Sequence, residues 1–163
     1  KRQDFGGRVA SLTIVSPGIV PRVDVSRRTK LSVAAALLVS PRRMFDIPLN
    51  DVELFTDNQE MRRYLSSDTL RLHRATARLL YISRLLDRML RKLPAGALKM
   101  PVSLMLAARD RIIDNERTRQ VIERLTGGEA DVKVFPGAHV LEFEPDPKPF
   151  FDALTDAVSR GET

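Results

Sequence analysis

Two side chains in this sequence have the chemistry and the surroundings for proton transfer, Asp110 and His139. The chain carries only two histidines. His139 lies in VKVFPGAHVLEFEP, residues 132–145: a β-branched run ends at Phe135, a Pro-Gly turn follows, and Glu142 and Glu144 stand close behind the imidazole. Asp110 lies in AARDRIIDN, just past another apolar run. A carboxylate that accepts a histidine's Nδ1–H fixes the tautomer and stabilises the imidazolium, which leaves Nε2 to act as a general base. Each feature also has a plainer use. Asp110, between Arg109 and Arg111, suits a solvated turn acid, and Asp114 suits a helix cap. A metal site of Asp110, Asp114 and His139 is a third arrangement, although three ligands on loops form a weak pattern. His73 opens a basic amphipathic stretch and reads as structural.

For Asp110 and His139 to meet, the elements before them must end on the same side of one sheet. RVASLTIV (8–15), PVSLMLAA (101–108) and DVKVF (131–135) are strand candidates, and their continuous apolar character suits a parallel sheet covered on both faces. Between the last two, Thr118, Val121, Ile122 and Leu125 follow i, i+3, i+4, i+7 spacing, with Asp114 or Asn115 to cap the helix start and Gly127 its end. Strand, helix and strand of this length predict a βαβ crossover, which makes the two strands neighbours and their loops sharers of one sheet edge. PKPFFDALTDAVSR predicts a closing helix with Phe150, Leu154, Ala157 and Val158 on one side.

Residues 22–99 contain no convincing strand. Helices are expected over 30–39, 58–65 and, most clearly, 72–93, where Ala75, Leu79, Ile82, Leu86, Met89, Leu90 and Leu93 share an arc of roughly 100°. Arg74, Arg78, Arg84, Arg88, Arg91 and Lys92 fill the other side. An insert of this length exceeds what a crossover needs. It therefore predicts a small helical subdomain over one end of the sheet.

Composition narrows the function. The 163 residues are 43% hydrophobic and 29% charged, which describes a globular chain of about one domain. The absence of cysteine excludes disulfides, thiolate metal sites and a cysteine nucleophile. The longest apolar run, Val33 to Val39, is too short to cross a bilayer. A net charge of +6 raises nucleic acid or an anionic membrane as partners. Here the basic residues are interleaved with acids and no aromatic RNA-binding motif or zinc-finger spacing is present, so nucleic acid is not expected. Peripheral membrane contact remains open.

PVSLMLAARDRIIDNERTR is similar to the late strand and acid loop of α/β-hydrolases, in the group of monoacylglycerol lipase-like and lysophospholipase-like serine hydrolases. FPGAHVLEFEPD resembles that family's histidine turn, and LTIVSPGIVPR resembles the strand that precedes its lid. The resemblance implies an α/β fold, the C-terminal part of a parallel sheet with a helical lid insert. It divides the chain into a core strand and loop (1–21), a lid (22–99) and a C-terminal core (100–163). It implies Asp110 as the triad acid, His139 as the triad base, a lipid or other small ester as substrate, no cofactor and no metal. Leu79, Ile82 and Leu86 of the lid would meet an acyl chain. A cytoplasmic location is the expectation, any targeting segment lying upstream of Lys1. Two departures stand out. Ala138 runs directly into His139 where the family has one more residue, and a shorter turn of this kind threatens to displace the ring by several ångströms. No serine stands in G-x-S-x-G. Since the fold's chain order is Ser, Asp, His, the nucleophile is expected N-terminal to Lys1, with this chain alone inactive. Ser16, in Ser-Pro-Gly, does not make the required elbow. The alternative is a non-catalytic α/β binding module, either a degenerate hydrolase relative or a basic nucleic-acid-interacting domain.

Overall fold

The protein is described by a computed structural model covering residues 9–160. Its centre is β4 (Val102–Ala107), flanked in parallel by β1 (Leu12–Val15) and β5 (Asp131–Phe135), in the order β1-β4-β5. The register pairs Ile14 with Leu104 and Leu106 with Val134. The first strand is shorter than its apolar run implies, and Arg8 lies outside the described residues.

Both faces of β4 are covered, which explains why its sequence reads as an unbroken apolar run. Val102, Leu104 and Leu106 pack on one side with Ile112, Ile113, Ile122 and Leu125. The last two belong to α4 (Asn115–Thr126), which links β4 to β5. Met105 and Ala107 face the other way, onto Leu141 and onto Phe150, Ala153 and Ala157 of α5 (Lys148–Ser159). The period-two alternation of a strand thus sends successive residues of β4 into two separate cores. Helix α4 begins where Asp114 caps it, its side chain accepting from Arg117 N. It ends at Gly127 with φ +75°, a left-handed cap that glycine adopts without a side-chain penalty. In α5 the buried residues are Phe150, Ala153 and Ala157, with Leu154 half-buried; Val158, expected on this face, is exposed.

The insert between β1 and β4 holds α1 (Arg27–Val39), α2 (Gln59–Ser67) and α3 (Ala77–Lys92). Ser26, Asn58 and Thr76 cap them in turn, each accepting from a backbone amide of the first turn. The expectation that this stretch lacks strands is corrected. β2 (Met44–Asp46) and β3 (Arg74–Thr76) form a two-stranded antiparallel ribbon, with Phe45 opposite Ala75. That ribbon takes the residues expected to begin the third helix, so α3 starts only after the Thr76 cap. Val33, Ala36, Phe45 and Ala77 form the insert's own small core.

Because Leu104 is fully enclosed whereas Leu38 is 87% exposed, alanine at the two positions should differ sharply. Leu104→Ala is expected to lower stability by about 2–5 kcal/mol and Leu38→Ala by no more than about 0.5 kcal/mol. Urea unfolding midpoints test this; equal shifts would contradict the placement of the core.

Candidate active site

The site forms where β4 and β5 end side by side. After Ala107 the chain turns and delivers Asp110, whose side chain is completely buried. Its Oδ1 accepts from the amides of Ile112 and Ile113, at 2.8 and 2.9 Å. Its Oδ2 lies 2.8 Å from His139 Nδ1. Asp110 is therefore not a solvated turn acid. Burial disfavours its charged form, but the hydrogen bond from His139 and the two amides outweigh that penalty and hold its pKa below the ordinary carboxylate value. Asp114, considered as a metal ligand, spends its carboxylate on capping α4 and on Arg117.

His139 is held on several sides. Its side chain is 19% exposed, and Phe55 of the insert approaches it edge-on with ring centroids 6.4 Å apart. The shortened turn does not displace the ring from Asp110. Gly137, at φ +144°, lets the chain double back, and a Cβ there would come within 2.6 Å of Glu144 Cγ. His73 lies away from this pair, exposed in the insert with Nδ1 2.9 Å from Asn50 Oδ1.

The acid loop is braced from behind. Arg22 N donates to Ile112 O and Asp114 N to Val20 O, both at 2.8 Å, so the segment after β1 lies along the loop. Asn115 Nδ2 donates to Ala107 O, which also receives Asp110 N. Ser16 follows β1 with φ +37° and a buried Oγ, and the chain then runs through Pro17 and Gly18 to α1, which begins eleven positions after Ser16. That path is not a strand-to-helix elbow.

Three residues around His139 escaped the sequence reading. Glu144, two positions past the exposed Glu142, is buried, and its Oε1 accepts from Ala138 N, Thr56 Oγ1 and Asp57 N. Asp57 in turn pairs with Arg109 and Arg111, on either side of Asp110. The buried Thr56 and Asp57 come from the insert, more than fifty residues from their partners. Only the nearness of Glu144 to His139 hinted at any of this.

Of the insert residues expected to meet an acyl chain, Leu79, Ile82 and Leu86 are 49%, 38% and 58% exposed. Leu86 borders a cleft of about 380 Å³ with Gly18, Ile19 and Met89. A second, predominantly apolar cleft of about 450 Å³ lies between insert and core and includes Val33, Leu49, Leu80, Tyr81 and Ile113. Among the described residues no helix is long and apolar enough to cross a membrane.

A parallel sheet with helices on both faces, and an acid and a histidine meeting beyond the carboxyl ends of adjacent strands, define an α/β-hydrolase. The sequence matches the family described as serine aminopeptidase, S33, over residues 3–146. The chain belongs to that family of hydrolases. The structure resembles the monoacylglycerol lipase of Paleococcus ferrophilus with a TM-score of 0.80 at 19% identity, covering 96% of this chain and 61% of that one. It also resembles a soluble variant of monoglyceride lipase from Saccharomyces cerevisiae, solved with a substrate analogue: TM-score 0.76, 19% identity, 99% of this chain and 58% of that one. The chain thus spans about three fifths of the length of these solved relatives. No curated protein matches the sequence.

The lowered pKa of Asp110 has a consequence for stability. A carboxyl group depressed by folding contributes stability that is complete above the unfolded value of about 3.9 and is lost as pH falls through the lower folded value. The stability difference between the wild type and Asp110→Asn should therefore shrink as pH drops below about 4. Denaturant titrations of both proteins across that range measure it. A difference independent of pH would show that Asp110 titrates normally.

Proposed function

We propose that this chain supplies the acid and the base of a serine hydrolase that cleaves carboxylic esters of the monoacylglycerol or lysophospholipid type. The observation that carries the proposal is the 2.8 Å contact between His139 Nδ1 and the buried Asp110 carboxylate. It fixes the proton on Nδ1 and directs Nε2 to the reaction. Nε2 takes the proton of a serine as its Oγ attacks the ester carbonyl, then returns that proton to the departing alcohol; water repeats the cycle to release the acid. The serine and the oxyanion donors belong to a segment outside these residues, since no serine here lies in a nucleophile elbow. The similarity to two lipases of monoacylglycerols supports a lipid ester as substrate.

In an enzyme carrying the serine-bearing segment, His139→Ala should lower turnover by several orders of magnitude. Asp110→Asn should keep the fold and lower turnover by roughly 10⁴, because the amide no longer enforces the working tautomer. His73→Ala and Asp114→Asn should be mild, the latter because asparagine also caps helices. Assays on a monoacylglycerol, with a fluorophosphonate to confirm serine labelling, decide the matter. Near-normal turnover of His139→Ala in a protein that labels would remove His139 as the base.

The insert serves as a lid whose α3 carries an exposed apolar stripe of Leu79, Ile82, Leu86 and Met89. Its residues recur at helical spacing yet are left uncovered, which suits an acyl chain. Aspartate at Ile82 or Leu86 should reduce activity on long-chain esters more than on acetyl esters. Equal losses on both would reduce the stripe to packing.

A further inference from the structure

His139 does not hold its own place. The backbone before it passes through Gly137, whose carbonyl accepts from Arg109 N at 2.9 Å, and through Ala138, fully buried with its N–H 3.0 Å from Glu144 Oε1. The same oxygen gathers Thr56 Oγ1 at 3.1 Å and Asp57 N at 3.3 Å, both from the residues just before the Asn58 cap of α2. Thr56 Oγ1 also reaches Phe143 O at 3.3 Å, and Val140 N donates to Phe55 O at 2.8 Å. Residues 55–57 therefore touch the chain just after His139 directly, at Val140, Phe143 and Glu144, and reach Ala138 before it through the Glu144 carboxylate. They touch the acid loop as well. Asp57 Oδ2 receives Arg109 Nε and its Oδ1 receives Arg111 Nη2, at 2.9 and 2.8 Å.

We infer that Glu144 is a positioning residue for His139, and that insert residues 55–57, through Glu144 and Asp57, set the alignment of the Asp110–His139 pair. One buried oxygen ties together three donors from two chain segments, and one of them is the amide directly preceding the imidazole. A buried donor deprived of its acceptor drives local rearrangement. The close packing of Glu144 Cγ against Gly137 makes that rearrangement fall on the turn itself. The ring's tautomer depends on its hydrogen bond to Asp110, so a small shift of the turn becomes a change in which nitrogen holds the proton. The docking of insert residues 55–57 on the core and the placement of His139 thus depend on the same contacts.

This inference rests on reading Asp110 and His139 as a working pair, but its test reads the imidazole directly. With two histidines in the chain, ¹⁵N spectra of the neutral rings resolve His139 and use His73 as an internal reference. In wild type and in Glu144→Gln, whose amide oxygen can accept the same donors, the Nδ1–H form of His139 should dominate. In Glu144→Ala the ratio of Nδ1–H to Nε2–H should fall about tenfold while His73 stays unchanged. In the serine-bearing enzyme the same variant should lose about 10²-fold in kcat with KM little altered, and Glu144→Gln should restore most of it. Should Glu144→Ala fail to fold, Thr56→Val, which keeps the volume but removes the hydroxyl that donates to Glu144 and accepts from Asn58 N, carries the test with a shift of about threefold in the same ratio. A folded Glu144→Ala, or failing that Thr56→Val, with the wild-type tautomer ratio overturns the inference. If His139→Ala remains active while the tautomer responds to Glu144, the ester-hydrolase reading fails and the positioning role stands.

Discussion

A carboxylate with no exposure to solvent is the constraint on which this structure turns. Desolvating a charge of that kind costs several kcal/mol unless hydrogen-bond donors surround it. Asp110 obtains three: the amides of Ile112 and Ile113 and the Nδ1 of His139. The first two oblige the chain to turn at once after β4, and that turn brings Ile112 and Ile113 into the core beneath. The third requires the end of β5 to lie within one hydrogen bond of the end of β4, which parallel pairing of the two strands satisfies. The acid loop, the strand order and the place of the histidine follow from making one buried charge tolerable.

The sheet's two cores divide the work that remains. One anchors α4 and carries the acid loop on its rim, through Ile112 and Ile113. The other anchors α5 together with Leu141, two positions beyond His139. Each member of the pair is thus fastened to a different side of β4, and the hydrogen bond between them spans the edge of the sheet. A disturbance of either core therefore reaches the pair by moving one partner against the other.

Much of this could be read from the sequence, for definite reasons. β4 is apolar because it is covered on both faces, whereas β5 keeps Val134 exposed. The spacing of Thr118, Ile122 and Leu125 identifies α4 because that helix has one buried side. Asp110 and His139 could be paired because topology alone brings two such loops together. Where periodicity was short, or partners lay far apart, the sequence was silent. The ribbon of β2 and β3 has three residues in each strand, too few for an alternation to show. Amphipathicity in α3 identified an apolar arc but not what lies against it, and Leu79, Leu86 and Met89 turn out to face solvent. The network of Glu144 joins residues up to 88 positions apart, and no local pattern announces a contact of that kind.

The shortened turn before His139 shows how the two sorts of information combine. Counting residues against a family pattern suggests a displaced ring, because length is all that counting sees. The turn's actual path depends on a left-handed-region glycine at 137 and on an acceptor for the amide of Ala138. The glycine belongs to the turn itself, whereas the acceptor comes from outside it, from Glu144 and the insert residues that hold it. A loop whose course is set by such long-range bonds can lose a residue and still present its side chain, provided the acceptor remains. Placement of the His139 imidazole is therefore a property of the insert and the sheet together, fixed by tertiary contacts.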